Sequence, residues 1–204
     1  EIMKLAIVTQ PTFFVEEDKI LTALFEEGMD NLHLCKPGCS PVFAERLLSL
    51  LSPSCRSKIT VHEHYYLRNE FSLYGIHVDE AANGIPKGYK GRIGVTCDDV
   101  QTLRSARKSC NYIFFGKRPL SDRDSLSDII DSPQLKTALD TGLIDKRVYA
   151  YWGGLNLDII PLVKDMGFGG IVIGSDLWNK FNIHSQIDYR ELICYFRKLR
   201  NAVE

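Results

Sequence analysis

Eight short runs of apolar and β-branched residues punctuate this 204-residue chain, and most of the stretches between them carry helical periodicity. The runs are Lys4–Thr9, Asn31–Cys35, Ile59–His62, Gly75–Val78, Arg92–Val95, Tyr112–Phe115, Arg147–Tyr151 and Gly170–Ile173. Each is four to six residues long and mainly apolar, as strands of a parallel sheet covered by helices read. Between them, Glu16–Glu27 places Ile20, Leu21, Leu24 and Phe25 on one helical face. The same periodicity recurs in Pro41–Leu51, Asp98–Lys108, Pro133–Thr141, Asn156–Met166 and Asp188–Asn201. Pro41 suits the first turn of its helix behind Ser40, and Asn156 and Asp98 are expected to cap theirs. Two crossovers are weak: Tyr66–Glu70 is short and Glu80–Gly91 reads as a loop. This alternation predicts an α/β chain forming a single compact (β/α)8 TIM barrel over residues 1–204. A doubly wound open sheet competes, but the first turn, Thr9-Gln10-Pro11-Thr12, lacks the dinucleotide glycine fingerprint.

Lys plus Arg number 25 and Asp plus Glu 26, a balance that points away from nucleic acid and anionic membranes. No stretch approaches the ~20 apolar residues of a membrane span. No basic segment followed by an apolar run opens the chain, so a cytoplasmic location is expected. Cys35, Cys39, Cys55, Cys97, Cys110 and Cys194 form neither a CxxC pair nor a zinc-finger spacing, and are expected to be reduced thiols.

The chemistry of a barrel lies at the C-terminal ends of its strands. Val148–Ser175 reads strand, Gly153-Gly154 turn, helix, glycine-rich turn, strand, Gly174-Ser175. Glycines between a strand and a helix let backbone N–H groups close around an anion, and two consecutive units doing so form a phosphate cradle. A plain tight turn is the alternative for Gly153 and Gly154. The other strand ends carry His33-Leu34-Cys35-Lys36, His62-Glu63-His64, His77-Val78-Asp79-Glu80, Thr96-Cys97-Asp98 and Gly116-Lys117-Arg118. A rim mixing acids with bases suits a polyanionic substrate carried with a divalent cation. His62 and His64, at i and i+2, could chelate zinc, but no third ligand is evident. The polar stretch Lys117–Asp131 is expected to act as a lid over the mouth.

These strand ends, in this order, resemble the thiamine phosphate synthase and TenI-like thiazole tautomerase family. The resemblance runs from Lys4-Leu5-Ala6-Ile7-Val8-Thr9 to the last strand. The family's strand-two signature corresponds to His33-Leu34-Cys35-Lys36, and its Asn-Asp pair to His62-Glu63. Its Gly-x-His segment corresponds to Gly75-Ile76-His77-Val78-Asp79-Glu80, and its Ile-Gly-Val-Ser strand to Ile93-Gly94-Val95-Thr96. The sixth-strand segment Asn111–Lys117, the turn Gly153-Gly154-Leu155 and the terminal Gly174-Ser175 complete the match.

The resemblance implies coupling of hydroxymethylpyrimidine diphosphate to thiazole phosphate with release of pyrophosphate, assisted by Mg²⁺. Gly153, Gly154, Gly174 and Ser175 would hold the thiazole phosphate. His33, Lys36, His62 and Thr96 would surround the pyrimidine diphosphate, with Lys36, His62 and Thr96 in catalytic roles. Glu63, with Asp79 or Glu80, would bind the metal. Cys35 stands where the family has an arginine, Ala82 near its second metal aspartate, and Ser121, Arg123 and Ser125 stand in for a Thr-rich loop. A thiazole phosphate tautomerase, with Asp98, His77 or His62 moving protons, is one alternative. A non-catalytic binder or regulator of a phosphorylated ligand is another. The expected partners are phosphorylated small molecules, with no nucleic acid and no membrane, and a homodimer is the assembly to test.

Overall fold

The computed structural model describes residues 2–79, 84–116, 129–182 and 189–204. Eight parallel strands close into a barrel in chain order: β1 Lys4–Val8, β2 Leu32–Leu34, β3 Ile59–Val61, β4 Gly75–Val78, β5 Arg92–Cys97, β6 Tyr112–Phe115, β7 Val148–Ala150 and β8 Gly170–Ile173. Closure is made by β1 on β8, with Lys4 opposite Gly170 and Ile7 opposite Ile173. The (β/α)8 expectation is met.

Alternation along each strand divides the interior in two. Leu5, Ile7, Leu32, Leu34, Ile76, Val78, Ile93, Val95, Ile171 and Ile173 join one large core with helix residues such as Leu21, Leu24, Leu48, Leu103 and Phe196. The alternate positions Ala6, Tyr112, Phe114, Tyr149, Tyr151 and Val172 form a separate cluster containing no helix residue. That second cluster fills the barrel. Glycine makes room for its rings: a Cβ on Gly94 would lie 2.1 Å from the Tyr112 ring, and one on Gly170 would lie 2.6 Å from Tyr149.

The outer helices are α1 Glu17–Glu26, α2 Pro41–Leu50, α3 Pro53–Arg56, α4 Leu67–Glu70, α5 Val100–Ser109, α6 Pro133–Asp140, α7 Ile160–Asp165, α8 Ser175–Trp178 and α9 Arg190–Val203. Three local expectations are corrected. Asp99, not Asp98, caps α5, accepting from the Thr102 N–H at 2.8 Å, because the strand runs on to Cys97 and the helix starts later. Ser40 makes no side-chain cap bond at α2. The helix after β7 opens as a 3-10 turn over Leu157–Ile159, capped by Asn156; Pro161 lacks the N–H that a continuous α-helical ladder would use. The short α3 and α8 were not anticipated, since four residues leave no periodicity to read.

Candidate functional site

Three histidines meet inside the barrel. His33 points inward from β2, His77 from β4, and His62 follows β3, where its N–H continues the ladder to the Leu34 carbonyl at 3.1 Å. His62 Nδ1 lies 2.7 Å from Asp79 Oδ1 and its Nε2 lies 2.9 Å from His33 Nδ1. Asp79 accepts, so His62 Nδ1 carries a proton and donates it. His77 lies against Thr96 Oγ1 at 2.8 Å through Nε2 and against the Tyr112 hydroxyl at 3.0 Å through Nδ1. The His62 and His77 rings stack with centroids 4.3 Å apart, and Phe114 packs 4.4 Å from His77 and 4.8 Å from His33.

Burial holds His33 and His77 neutral, well below the usual histidine range, with the charge of His62 adding to the effect. His62 is the exception. Burial works against its charge too, but hydrogen bonds with Asp79 and Cys35 outweigh it and raise its pKa to about 10. Of the three rings, His62 is the one whose charged form the surroundings favour, through the adjacent Asp79 carboxylate.

Cys35 and Glu63 complete this corner of the mouth. Thr9 Oγ1 brackets the Cys35 backbone, accepting from its N–H at 3.1 Å and donating to its carbonyl at 3.2 Å. Glu63 Oε2 accepts from the Lys36 N–H at 3.1 Å, and Oε1 lies 3.8 Å from Cys35 Sγ. Burial raises the pKa of the Tyr65 phenol, and the charges of Asp79 and Glu63 raise it further.

Lys36 faces elsewhere. Its Nζ donates to Glu17 and, at 2.8 Å, to the Thr12 carbonyl, with the Phe13 ring 4.7 Å away. Both members of this ion pair are buried; burial pushes the lysine down and the carboxyl up, and their mutual attraction opposes both shifts. Lys36 is thus committed to the first turn of α1 and the loop before it.

On the other side, the turns after β7 and β8 lie side by side, since Tyr149 pairs with Gly170 and Ala150 with Ile171. Gly154 has φ +76°, a left-handed conformation that favours glycine, and its carbonyl accepts from Asn156 Nδ2 at 3.2 Å. Gly174 opens α8, whose first residue, Ser175, is exposed. Trp178 Nε1 anchors α8 to the Val8 carbonyl at 2.8 Å.

The structure brings together His33, His62, Thr96, Glu63 and Asp79, and separately Gly153, Gly154, Gly174 and Ser175. His64 leaves His62, turning its Nε2 to the Cys39 carbonyl at 3.1 Å. Glu80, Ser121, Arg123 and the segment 117–128 expected to form most of a lid lie outside the described residues. Sequence reasoning missed Tyr112, Phe114 and Glu17. The first two sit two apart on one strand, the spacing that marks a shared face; nothing local marks Glu17 as the partner of Lys36.

The chain is 40% identical to a thiamine phosphate pyrophosphorylase from Bacteroides thetaiotaomicron, across 98% of its own length and 97% of that chain, with a TM-score of 0.86. It belongs to the thiamine phosphate pyrophosphorylase family. A thiamine phosphate pyrophosphorylase from Pyrococcus furiosus is 16% identical over 98% of this chain and 95% of that one, with a TM-score of 0.68. The 3-hexulose-6-phosphate synthase from Salmonella typhimurium is 12% identical over 98% of both chains, at 0.62. These two likenesses show the barrel alone. No protein-family model and no curated protein matches the chain. Among the described residues, no helix is long and apolar enough to cross a membrane.

Within this family the corner between β2, β3 and β4 is where the resemblance puts Mg²⁺, and the donors there suit it poorly. Magnesium takes oxygen ligands in a near-octahedral shell. Glu63 and Asp79 offer oxygens, but Asp79 Oδ1 is turned to an imidazole and Glu63 Oε1 to a thiol.

Proposed function

We propose that the protein couples hydroxymethylpyrimidine diphosphate to thiazole phosphate, releasing pyrophosphate. Full-length identity of 40% to a thiamine phosphate pyrophosphorylase carries this reading; the two-sided mouth is consistent with it. The thiazole phosphate would lie on the adjoining turns Gly153-Gly154 and Gly174-Ser175, whose small residues admit an anion to the backbone. The pyrimidine would lie over the aromatic floor made by His33, His62 and Phe114.

In the reaction the bond from the pyrimidine methylene carbon to the diphosphate oxygen breaks, its electron pair leaving with pyrophosphate. The thiazole nitrogen lone pair then forms the new C–N bond. The protein's part is positioning and electrostatics. His62, whose charged form is favoured by Asp79, would add positive potential near the departing anion, partly offset by that carboxylate. His77 holds Thr96 Oγ1, leaving the hydroxyl able to turn toward the diphosphate. Lys36 acts from its pair with Glu17, fixing the end of β2 and, through its N–H, the Glu63 carboxylate.

The test is an assay of thiamine phosphate formation from the two substrates, with Mg²⁺, Mn²⁺, Zn²⁺ or no metal added, and Glu63→Ala as control. Product well above the uncatalysed background, lost in Glu63→Ala, supports coupling; no product with any metal overturns it. One observation favours a second reading, a binder of a phosphorylated ligand. Lys36 is spent on Glu17, while Gly154 and Ser175 on the other side are exposed. Stabilisation by thiazole phosphate without stabilisation by the pyrimidine diphosphate would select it.

A further inference from the structure

We propose that Cys35, His62 and Asp79 form a binding site for a borderline transition ion, zinc in the first instance, with Glu63 as an exchangeable fourth ligand. The inference rests on the side chains themselves and stands whether or not coupling occurs.

One donor atom from each of Cys35, His62 and Asp79 lies within 4.8 Å of the other two. The three residues come from the ends of neighbouring strands, so the barrel scaffold holds them. With metal–sulfur at about 2.3 Å and metal–nitrogen or –oxygen at about 2.0–2.2 Å, tetrahedral donors sit about 3.3–3.6 Å apart. All three atoms lie within 4.8 Å of one another; His62 Nδ1 and Asp79 Oδ1, at 2.7 Å, need to part by about 0.6 Å to reach that spacing. Glu63 Oε1, at 3.8 Å from Cys35 Sγ, already stands close to a tetrahedral edge.

The surroundings orient these ligands as supporting hydrogen bonds orient those of a metal centre. His62 turns Nδ1 toward the site and Nε2 toward His33 Nδ1 at 2.9 Å, so an ion on Nδ1 leaves the Nε2–H donated to a fixed acceptor. Thr9 pins the Cys35 backbone from both sides. The Lys36 N–H holds one oxygen of Glu63, leaving the other for the ion. Three fixed ligands and one exchangeable carboxylate are the layout of a site that also admits a substrate oxygen.

Donor chemistry decides the metal. Thiolate and imidazole select zinc, cobalt and related ions, while magnesium and calcium prefer oxygen shells. The nearby group His33, His62 and His77 also gathers three ring nitrogens within 4.8 Å, but His77 already spends its two nitrogens on Thr96 and Tyr112. Binding at Cys35 displaces the thiol proton and the Nδ1 proton of His62 to solvent, so affinity rises with pH.

The experiment uses the full chain stripped with a chelator and titrated with Co²⁺, then with Zn²⁺ in competition, no substrate being present. The expected result is one ion per chain by elemental analysis. Co²⁺ should give a thiolate-to-cobalt charge-transfer band and tetrahedral visible bands, and a tenfold excess of Mg²⁺ should displace neither ion. Cys35→Ser should abolish the thiolate band, Asp79→Asn and His33→Phe should weaken Co²⁺ binding about 10–100-fold, and Cys194→Ser, on an exposed face of α9, should bind as the unaltered protein does. Thermal melting of each metal-free variant identifies any that fails to fold. Absence of the thiolate band in the unaltered protein, its persistence in a folded Cys35→Ser, or displacement by Mg²⁺ would each overturn the proposal.

Discussion

Lys36 and Glu17 form an ion pair with side-chain exposures of only 3% and 2%, joining the end of β2 to the first turn of α1. Taking both charges out of water costs several kcal/mol per ion, and removing one partner leaves the other uncompensated. Glu17→Gln should therefore destabilise the protein by about 3–5 kcal/mol. The double variant Glu17→Leu with Lys36→Met should recover most of that loss, as buried pairs replaced by apolar residues often do. Urea unfolding followed by circular dichroism checks both. An activity lost in Lys36→Ala would then need a stability measurement beside it before it is assigned to chemistry.

The two buried histidines contribute to the acid side of the stability curve. Below about pH 6.5 an unfolded chain protonates His33 and His77 while the folded chain resists. Each contributes a loss of up to about 1.4 kcal/mol per pH unit as the solution is acidified. His62 has the opposite sign: its folded pKa, about 10, lies above the unfolded value. Its contribution is full below about 6.5 and fades as pH rises through about 10. Metal-free protein should thus be most stable near neutral pH, and His77→Gln should flatten the acid limb. Melting temperature against pH measures both limbs.

Gly94 and Tyr112 are neighbours in register across β5 and β6. A Cβ at Gly94 would enter the ring at 2.1 Å, so Gly94→Ala must displace Tyr112 and with it the hydroxyl that holds His77. Overpacking of this kind costs about 1–3 kcal/mol. Pairing it with Tyr112→Leu should restore the lost volume but not the hydrogen bond to His77. Melting temperatures of the single and double variants test the volume argument.

Much of the barrel was legible because its signals are local. The eight strands emerge within one or two residues of their expected bounds, since apolar runs flanked by turns need no distant information. The long helices follow from their apolar faces, whereas the four-residue α3 and α8 have too few turns to show one. Residues at the strand ends were legible as a set; their partnerships were not. Nothing near Asp79 in sequence says that it faces His62, and Lys36 looked free for a diphosphate until Glu17 closed on it. Those pairings depend on how adjacent loops fold back, which periodicity does not encode. Expectations at Glu80, Ser121 and Arg123 lie outside the described residues.

Cys35 stands where the resemblance implies an arginine, beside Glu63 and separated from Asp79 by β3. An arginine there would meet two carboxylates and, with substrate bound, a diphosphate it can grip with two parallel hydrogen bonds. Cys35→Arg should lower the KM for the pyrimidine diphosphate about tenfold, equivalent to about 1.4 kcal/mol, and leave the KM for thiazole phosphate unchanged.

The glycine side of the mouth should respond in the opposite sense. Ser175 is exposed at the start of α8, so Ser175→Asp places a carboxylate where the thiazole phosphate would bind without disturbing the Trp178 anchor to Val8. Like charges at that distance repel in a partly desolvated mouth more strongly than in water. The KM for thiazole phosphate should rise at least tenfold, while that for the pyrimidine diphosphate moves little and the melting temperature stays within a few degrees. Steady-state kinetics with each substrate varied in turn separates the two. A KM for thiazole phosphate that does not move would remove the phosphate from this turn.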